Sequence, residues 1–249
     1  MIVYPNAKIN IGLNVLEKQS DGYHKISSVF YPVNELFDIL EILPSKDFSF
    51  SSSGIEIPGN SNICTKAFEL FQADFQIGNV TIHLYKQIPI GAGLGGGSAD
   101  GAFTLKALNE LFKLELSAIE LEVYALQLGA DCPFFIENSP KYITGIGDKM
   151  MDINFDLSVY KLKFIFPDLH ISTAEAYEDV IPNRPKIHLI DLINQPSKNW
   201  KKSLKNDFEV AAFVKYPQLN KIKEKLYADG AIYASMTGSG SVLYGVFVS

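Results

Sequence analysis

Five of the seven residues from Gly91 to Gly97 are glycine, within Pro89-Ile90-Gly91-Ala92-Gly93-Leu94-Gly95-Gly96-Gly97-Ser98. The run before it, Val80 to Lys86, alternates apolar and polar residues as a strand does. The stretch after it, Ser98 to Phe112, is rich in Ala and Leu and predicts a helix. A glycine loop that opens a helix is an anion site. Without Cβ atoms the backbone reaches φ > 0 and approaches a ligand closely, its N–H groups converge, and the helix dipole adds positive potential. A polyphosphate is the natural guest. A mobile linker would carry Ser, Gln or charge and would not sit tightly between two regular elements.

The type of phosphate loop follows from what surrounds it. The Gly-Lys-Ser/Thr ending of a P-loop is absent, and so are the protein-kinase signatures. Gly91 to Gly96 does match the dinucleotide pattern GxGxxG. That pattern needs a second parallel strand after the helix, ending in an acidic residue. Here Ser117 to Leu128 predicts another helix, which leaves a dinucleotide-dependent oxidoreductase as the second reading.

Other side chains that could do chemistry are spread along the chain. Residues 7 to 15 alternate, with Ile9, Ile11, Leu13 and Val15 on one face and Lys8, Asn10, Gly12 and Asn14 on the other. This predicts a half-buried strand whose polar face carries a cation and two amides. Asparagine is unfavourable in strands, which tilts that face toward a site rather than ordinary solvation. Asp21-Gly22-Tyr23-His24 marks a tight turn that displays an aromatic ring and an imidazole. Asp131, in Gly129-Ala130-Asp131-Cys132-Pro133, lies at a helix exit; taken alone it is a cap for the turn that Pro133 begins. Thr237-Gly238-Ser239-Gly240 is a second small glycine loop between two short strands.

The elements that must hold these residues are legible in outline. Residues 26 to 43 read as further strands, with Leu36, Ile39, Leu40 and Ile42 apolar, and residues 44 to 60 read as loop or a short edge strand. Asn62 caps a helix with Ile63, Ala67, Leu70 and Phe71 on one face. Ser98 begins the helix after the glycine loop, so that Asp100 falls in its first turn, suited to the dipole but repulsive to a nearby phosphate. Ser117-Ala-Ile-Glu120 and Ser172-Thr-Ala-Glu175 are capping boxes, and Tyr177 lies on the short helix that the second one starts. Two short strands fall around Gly145 and Gly147, and another spans Tyr160 to Phe166. Asn206-Asp207-Phe208-Glu209 opens a helix, Pro217 to Ala228 forms the next, and Ala231 to Ser235 pairs with Val242 to Phe247.

At 249 residues and 47% hydrophobic composition the chain can bury a sizeable core. A net charge of −6 argues against nucleic acid or an anionic membrane surface as a partner. Phosphate must then be held by backbone N–H groups and a few placed lysines. Two cysteines, Cys64 and Cys132, offer neither a disulfide framework nor a metal cluster. With no signal peptide or membrane-length apolar run, a cytoplasmic protein is expected.

Taken together, the motifs resemble the GHMP small-molecule kinases. Pro89 to Ser98 resembles their central phosphate loop, and Thr237 to Gly240 their C-terminal glycine motif. Lys8 and Asn10, Asp21 to His24, Gly129 to Pro133 and Asn206 to Glu209 are similar to the branch that acts on a cytidylyl-methylerythritol in the non-mevalonate isoprenoid pathway. The resemblance implies an α+β fold with two lobes, a ribosomal-protein-like α/β domain at 1–154 and a ferredoxin-like domain at 155–249. It implies transfer of the γ-phosphoryl of ATP, with Mg²⁺, to the substrate 2-hydroxyl. Asp131 would be the general base with Lys8 beside it. Pro89, Gly91, Gly93, Leu94, Gly95, Gly96, Gly97 and Ser98 would hold the phosphates, with Thr237, Gly238, Ser239 and Gly240 shaping the site. Asn62 and Lys86 would lie near the adenosine. Tyr23 and Tyr177 would stack on the cytosine, His24 would bond its edge, and Asn10 would lie near the methylerythritol hydroxyls. Where the family pattern has a second Ser and an Asn after Ser98, this chain has Ala99 and Asp100, so no family role carries to those positions. No residue is assigned to the metal. Kinases of mevalonate or homoserine type are the alternatives within the family, and a non-catalytic nucleotide sensor is disfavoured by the presence of both Lys8 and Asp131.

Overall fold

The computed structural model describes residues 1–59 and 62–248. The chain opens with strands β1 (Ile2–Val3), β2 (Asn6–Lys18), β3 (His24–Phe37), β4 (Ile39–Pro44) and β5 (Ser49–Gly54). Helix α1 (Ile63–Phe75), strand β6 (Val80–Lys86) and helices α2 (Gly96–Leu111), α3 (Ala118–Leu128) and α4 (Phe134–Glu137) follow. Strands β7 (Lys141–Thr144), β8 (Lys149–Asp152) and β9 (Tyr160–Ile165) lead to α5 (Thr173–Asp179), α6 (Leu189–Ile193), α7 (Trp200–Ser203), α8 (Phe208–Lys215) and α9 (Pro217–Ala228). Strands β10 (Tyr233–Met236) and β11 (Leu243–Val248) close the chain. Contacts divide it into two compact units that interleave in sequence: Met1–Lys8, Pro32–Ile90 and Gly95–Ser139 form one, and Ile9–Tyr31, Gly91–Leu94 and the chain from Pro140 onward form the other.

The first unit holds a sheet of order β1-β4-β6-β5, antiparallel except for the parallel β5–β6 pair. A parallel pair needs a long crossover, and α1 lies in that connection. Strand β6 follows its alternation: Val80, Ile82 and Leu84 are buried while Tyr85 is exposed. The same period carries Lys86 inward, where it is only 4% exposed. Leu40, Ile42, Phe68, Phe71, Leu105 and Leu108 complete the core, each such side chain contributing roughly 1.5–3 kcal/mol when buried. The element after α2 is helix α3, so the strand that a dinucleotide fold requires there is missing.

The second unit holds a sheet of order β2-β3-β7-β8 and a smaller antiparallel sheet of order β10-β11-β9. Helix α9 packs on β10 and β11 and α8 packs on α9. Tyr233 and Tyr244 are fully buried in this core, each with a backbone partner: Tyr244 donates its hydroxyl to Asn10 O at 2.6 Å, and Tyr233 Oη accepts from Gly12 N at 3.3 Å.

Three expectations need correction. Strand β2 is not half-buried: from Asn6 to Leu13 both of its faces are enclosed, because Asn6, Lys8 and Asn10 have polar partners inside the protein. Helix α2 starts at Gly96 rather than Ser98, which moves Asp100 out of the first turn. At α5, Ser172 Oγ accepts from Glu175 N at 3.1 Å, but the Glu175 carboxylate turns to Tyr216 Oη and Lys215 instead of completing the box. At α3, by contrast, both bonds of the capping box between Ser117 and Glu120 are made.

Candidate active site

In the first unit the site is built around the start of α2. Gly95 is the N-cap, at φ 71° and ψ 14°, a left-handed conformation that costs other residues roughly 1–2 kcal/mol. A Cβ there would lie 3.0 Å from both Lys8 Cγ and Phe135 Cζ. Among the described residues no side chain caps this helix. Its first donors, the N–H groups of Gly96, Gly97 and Ser98, are the ones a helix cannot satisfy internally, and a Cβ added to Gly97 would meet open space. Sixteen residues of helix stand behind them, so the positive end of a long dipole points at this place. The fit to an anionic polyphosphate rests on these features.

Asp131 reaches the same place from the far end of α3. Gly129 ends that helix, and the turn is closed by Cys132 N donating to Gly129 O at 3.1 Å. Lys8 Nζ stands 3.6 Å from Asp131 Oδ2, with the lysine side chain 4% and the carboxylate 34% exposed. Burial pulls the Lys8 ammonium below the ordinary lysine range and Asp131 opposes that fall. The pair is therefore an accessible carboxylate backed by a buried cation.

Lys86 is engaged elsewhere. Its Nζ donates to Asp38 Oδ2 at 2.5 Å and Asp100 Oδ2 at 2.7 Å. Asp38 Oδ1 accepts from Gln87 N at 2.6 Å and Ile88 N at 2.9 Å. A Cβ on Gly96 would sit 3.0 Å from Lys86 Nζ, so this ammonium underlies the phosphate loop. Asn62 is an N-cap, its Oδ1 accepting from Cys64 N at 2.7 Å. Direct contact of Lys86 with a nucleotide would require it to leave its carboxylates.

In the second unit the two glycine stretches meet. Gly93, at φ 78°, lies so close to the Thr237 carbonyl that no Cβ fits. Thr237 Oγ1 donates to Gly93 O at 3.1 Å. Gly238 N donates to Asn10 Oδ1 at 3.0 Å, and Asn10 Nδ2 donates to Ser28 Oγ at 2.8 Å. The Asn10 side chain therefore ties β2 to the second glycine loop. Two residues that the sequence marked as a helix start and as part of the family resemblance, but to which it gave no role, share this work. Asn206 Nδ2 donates to Met236 O at 2.8 Å and Gly238 O at 2.9 Å, while Glu209 Oε1 accepts from Met236 N at 2.8 Å. Polar residues at a helix start, in a chain with a distant glycine loop, were the available signal. Gly240 N closes the loop onto Thr237 O, and Ser239 Oγ lies 3.4 Å from Thr173 Oγ1.

The residues expected at a base also lie in this unit. The His24 ring stacks on Tyr177 with centroids 4.8 Å apart and planes 27° apart, and Tyr177 meets the edge of Phe208. Burial first, and Lys18 second, hold the His24 imidazole below its ordinary range and thus neutral. Tyr23 is 61% exposed at the turn, its N–H donating to Asp21 Oδ1 at 3.0 Å. Among the described residues no group of three or more His, Cys, Asp or Glu is placed to hold a metal, and no helix is long and apolar enough to cross a membrane.

The description of GHMP kinases, N terminal domain, matches residues 62–138, and that of GHMP kinases, C terminal, matches residues 189–248. The chain belongs to the GHMP kinase family. A 4-diphosphocytidyl-2-C-methyl-D-erythritol kinase of Bacteroides thetaiotaomicron is 49% identical over 253 residues, covering 99% of this chain and 92% of that protein. The crystal structure of a 4-(cytidine 5'-diphospho)-2C-methyl-D-erythritol kinase aligns with a TM-score of 0.86 at 32% identity, covering 99% of this chain and 90% of the other. A mevalonate kinase structure shares the fold, with a TM-score of 0.74 at 15% identity over 99% of this chain and 91% of its own. This GHMP kinase thus has the α+β fold of a small-molecule kinase. Its N-terminal family match contains the α2 start and Asp131, and its C-terminal match contains the second glycine loop.

Proposed function

We propose that this GHMP kinase transfers the γ-phosphoryl group of ATP to the 2-hydroxyl of 4-diphosphocytidyl-2-C-methyl-D-erythritol, a step in making isoprenoid precursors by the non-mevalonate route. The observation that carries the mechanism is the Lys8–Asp131 pair, in the same unit as the uncapped start of α2. Phosphoryl transfer asks for positioning and charge neutralisation more than covalent help. Asp131 accepts the proton of the substrate hydroxyl as its oxygen bonds the γ-phosphorus and the bond from that phosphorus to the bridging oxygen of ADP breaks. Lys8, 3.6 Å from that carboxylate, stabilises the charge gathering between hydroxyl and phosphoryl. The N–H groups from Gly96 to Ser98 hold phosphate oxygens, and Pro89 to Gly95 and Thr237 to Gly240 shape the cradle. Mg²⁺ arriving with ATP would supply neutralisation of the phosphate charge.

Asn62 and Lys86 border the adenosine in this reading, Lys86 through its place beneath Gly96. Tyr23 and Tyr177 supply ring faces for cytosine, such stacking being worth roughly 1–3 kcal/mol per base. The neutral His24 bonds the base edge. Asn10, committed to Ser28 and Gly238, places the strand that runs past the methylerythritol hydroxyls. The lobes are taken as 1–154 and 155–249, since the two family matches fall on either side of that boundary. A cytoplasmic location accords with ATP as donor and with two unpaired, buried thiols.

The test is ADP release in a coupled assay with Mg-ATP and the cytidylyl substrate, beside Asp131→Ala. Substrate-dependent release that drops about 10²–10⁴-fold in the variant is expected. Undiminished release in the variant removes Asp131 as base. No release with this substrate, but release with mevalonate or homoserine, overturns the substrate assignment.

A further inference from the structure

Asp38, Lys86 and Asp100 form a buried cluster in which two carboxylates share one ammonium; their residues are 0%, 4% and 2% exposed. With every group ionised the cluster would carry a net negative charge out of reach of water, which is costly. The two carboxylates are not equivalent. Asp38 is well provided for, accepting from Lys86 and from two backbone N–H groups. Asp100 accepts from Lys86 through Oδ2 alone, and its Oδ1 is buried with no hydrogen-bond partner. A bare oxygen of an ionised carboxylate is the more expensive way to bury that atom. The cluster also lies against the phosphate cradle, since Lys86 Nζ is where a Cβ on Gly96 would nearly touch.

We propose that Asp100 is a positioning residue for the nucleotide: it is held as a neutral carboxylic acid, so that the floor of the phosphate loop carries no net negative charge when the polyphosphate binds. The inference rests on the kinase reading for its ligand but not for its proton. The titratable groups facing Asp100 are Lys86 from β6, Asp38 ahead of β4 and Cys64 from α1. Burial drives the Cys64 thiol far up, so it stays neutral. Burial also pushes the Asp100 carboxyl up to about 8; Lys86 opposes this, and the charge on Asp38 adds to it. Burial lowers the Lys86 ammonium, but the two carboxylates together outweigh that and it stays charged. One ammonium, one carboxylate and one acid leave the cluster neutral. Loss of the Asp100 proton as pH rises through about 8 places a buried negative charge beneath the phosphates.

The test compares Mg-ATP binding by calorimetry at pH 7 and pH 9.5 for the wild type and Asp100→Asn. The last phosphate proton of a phosphate monoester leaves at about 6 and bound Mg²⁺ lowers it further, so the charge of Mg-ATP changes little across this range. Lys8 titrates equally in both proteins, so the difference between them is the readout. The wild type should lose at least about tenfold more affinity than the variant, the effect of one charge at an effective dielectric near ~20 and a separation of about 12 Å. Equal losses overturn the proposal. A second measurement needs neither the variant nor nucleotide: in protein labelled with ¹³C at the aspartate carboxyls, one resonance should titrate near pH 8. If every aspartate titrates in the ordinary acidic range, Asp100 is not held as the acid. If the resonance titrates near pH 8 but ATP does not bind at any pH, the kinase reading fails while the proton stands.

Discussion

Lys8 is an ammonium held almost wholly out of water, a state that destabilises a fold unless function requires it. Replacing it by Met keeps the volume and removes the buried charge. Lys8→Met should lose at least ~10²-fold in kcat, while its melting temperature stays level or rises; a lower melting temperature would make Lys8 a structural residue first. The sign of the pH dependence follows from the lowered ammonium. The folded state binds fewer protons than the unfolded one between the lowered value and about 10.4, so this lysine's penalty is relieved as pH rises across that window. Thermal melts of the wild type should show that upward component and Lys8→Met should lack it. Asp100 acts in the opposite sense. Its carboxyl is raised, so stability is fullest below the unfolded aspartate value of about 3.9 and declines as pH rises toward about 8. Asp100→Asn should flatten that decline. The Lys8–Asp131 pair was legible only through the family resemblance, because the two are remote in sequence, and the partners of Lys86, which come from two separate segments, were not legible at all.

The elements were more legible than the contacts between them. Alternation marks β6, and the reciprocal Ser117–Glu120 box marks the start of α3, since both are local patterns. The start of α2 was misplaced because Gly95, in a left-handed conformation, ends the loop where Ser98 is the better cap by composition. Gly95→Ala should cost about 1–2 kcal/mol in denaturant unfolding and weaken ATP binding, because the new methyl meets Lys8 and Phe135. Strand β2 was misread as half-solvated: its polar residues are paired inside, a long-range fact that period-two counting does not contain. The start of α8 has an equally hidden role. Asn206→Ala leaves the Met236 and Gly238 carbonyls without their side-chain donor, and should cost about 1–3 kcal/mol in stability. Its KM for ATP should rise more than its kcat falls if the second glycine loop serves the nucleotide, and Asn206→Asp, which has lost the donor, should not rescue it.

At the scale of the whole chain, the family and the fold class were legible because a few glycine-bearing motifs stand in a fixed order along it. The compact units were not, since one of their divisions falls inside β2 between Lys8 and Ile9 and another inside the glycine loop between Leu94 and Gly95, where no linker composition marks a change. The two cysteines carry a consequence of their own. Both thiols are enclosed in the first unit, and burial raises both, Cys132 to about 12. A maleimide therefore finds neither in the native state and reports, residue by residue, on which segment has opened. Cys64 keeps time for α1, and Cys132, next to Asp131 in sequence, keeps time for the turn that carries that carboxylate. Saturating nucleotide should slow alkylation of Cys132 more than that of Cys64, which makes the unmodified protein its own gauge of where a ligand tightens it.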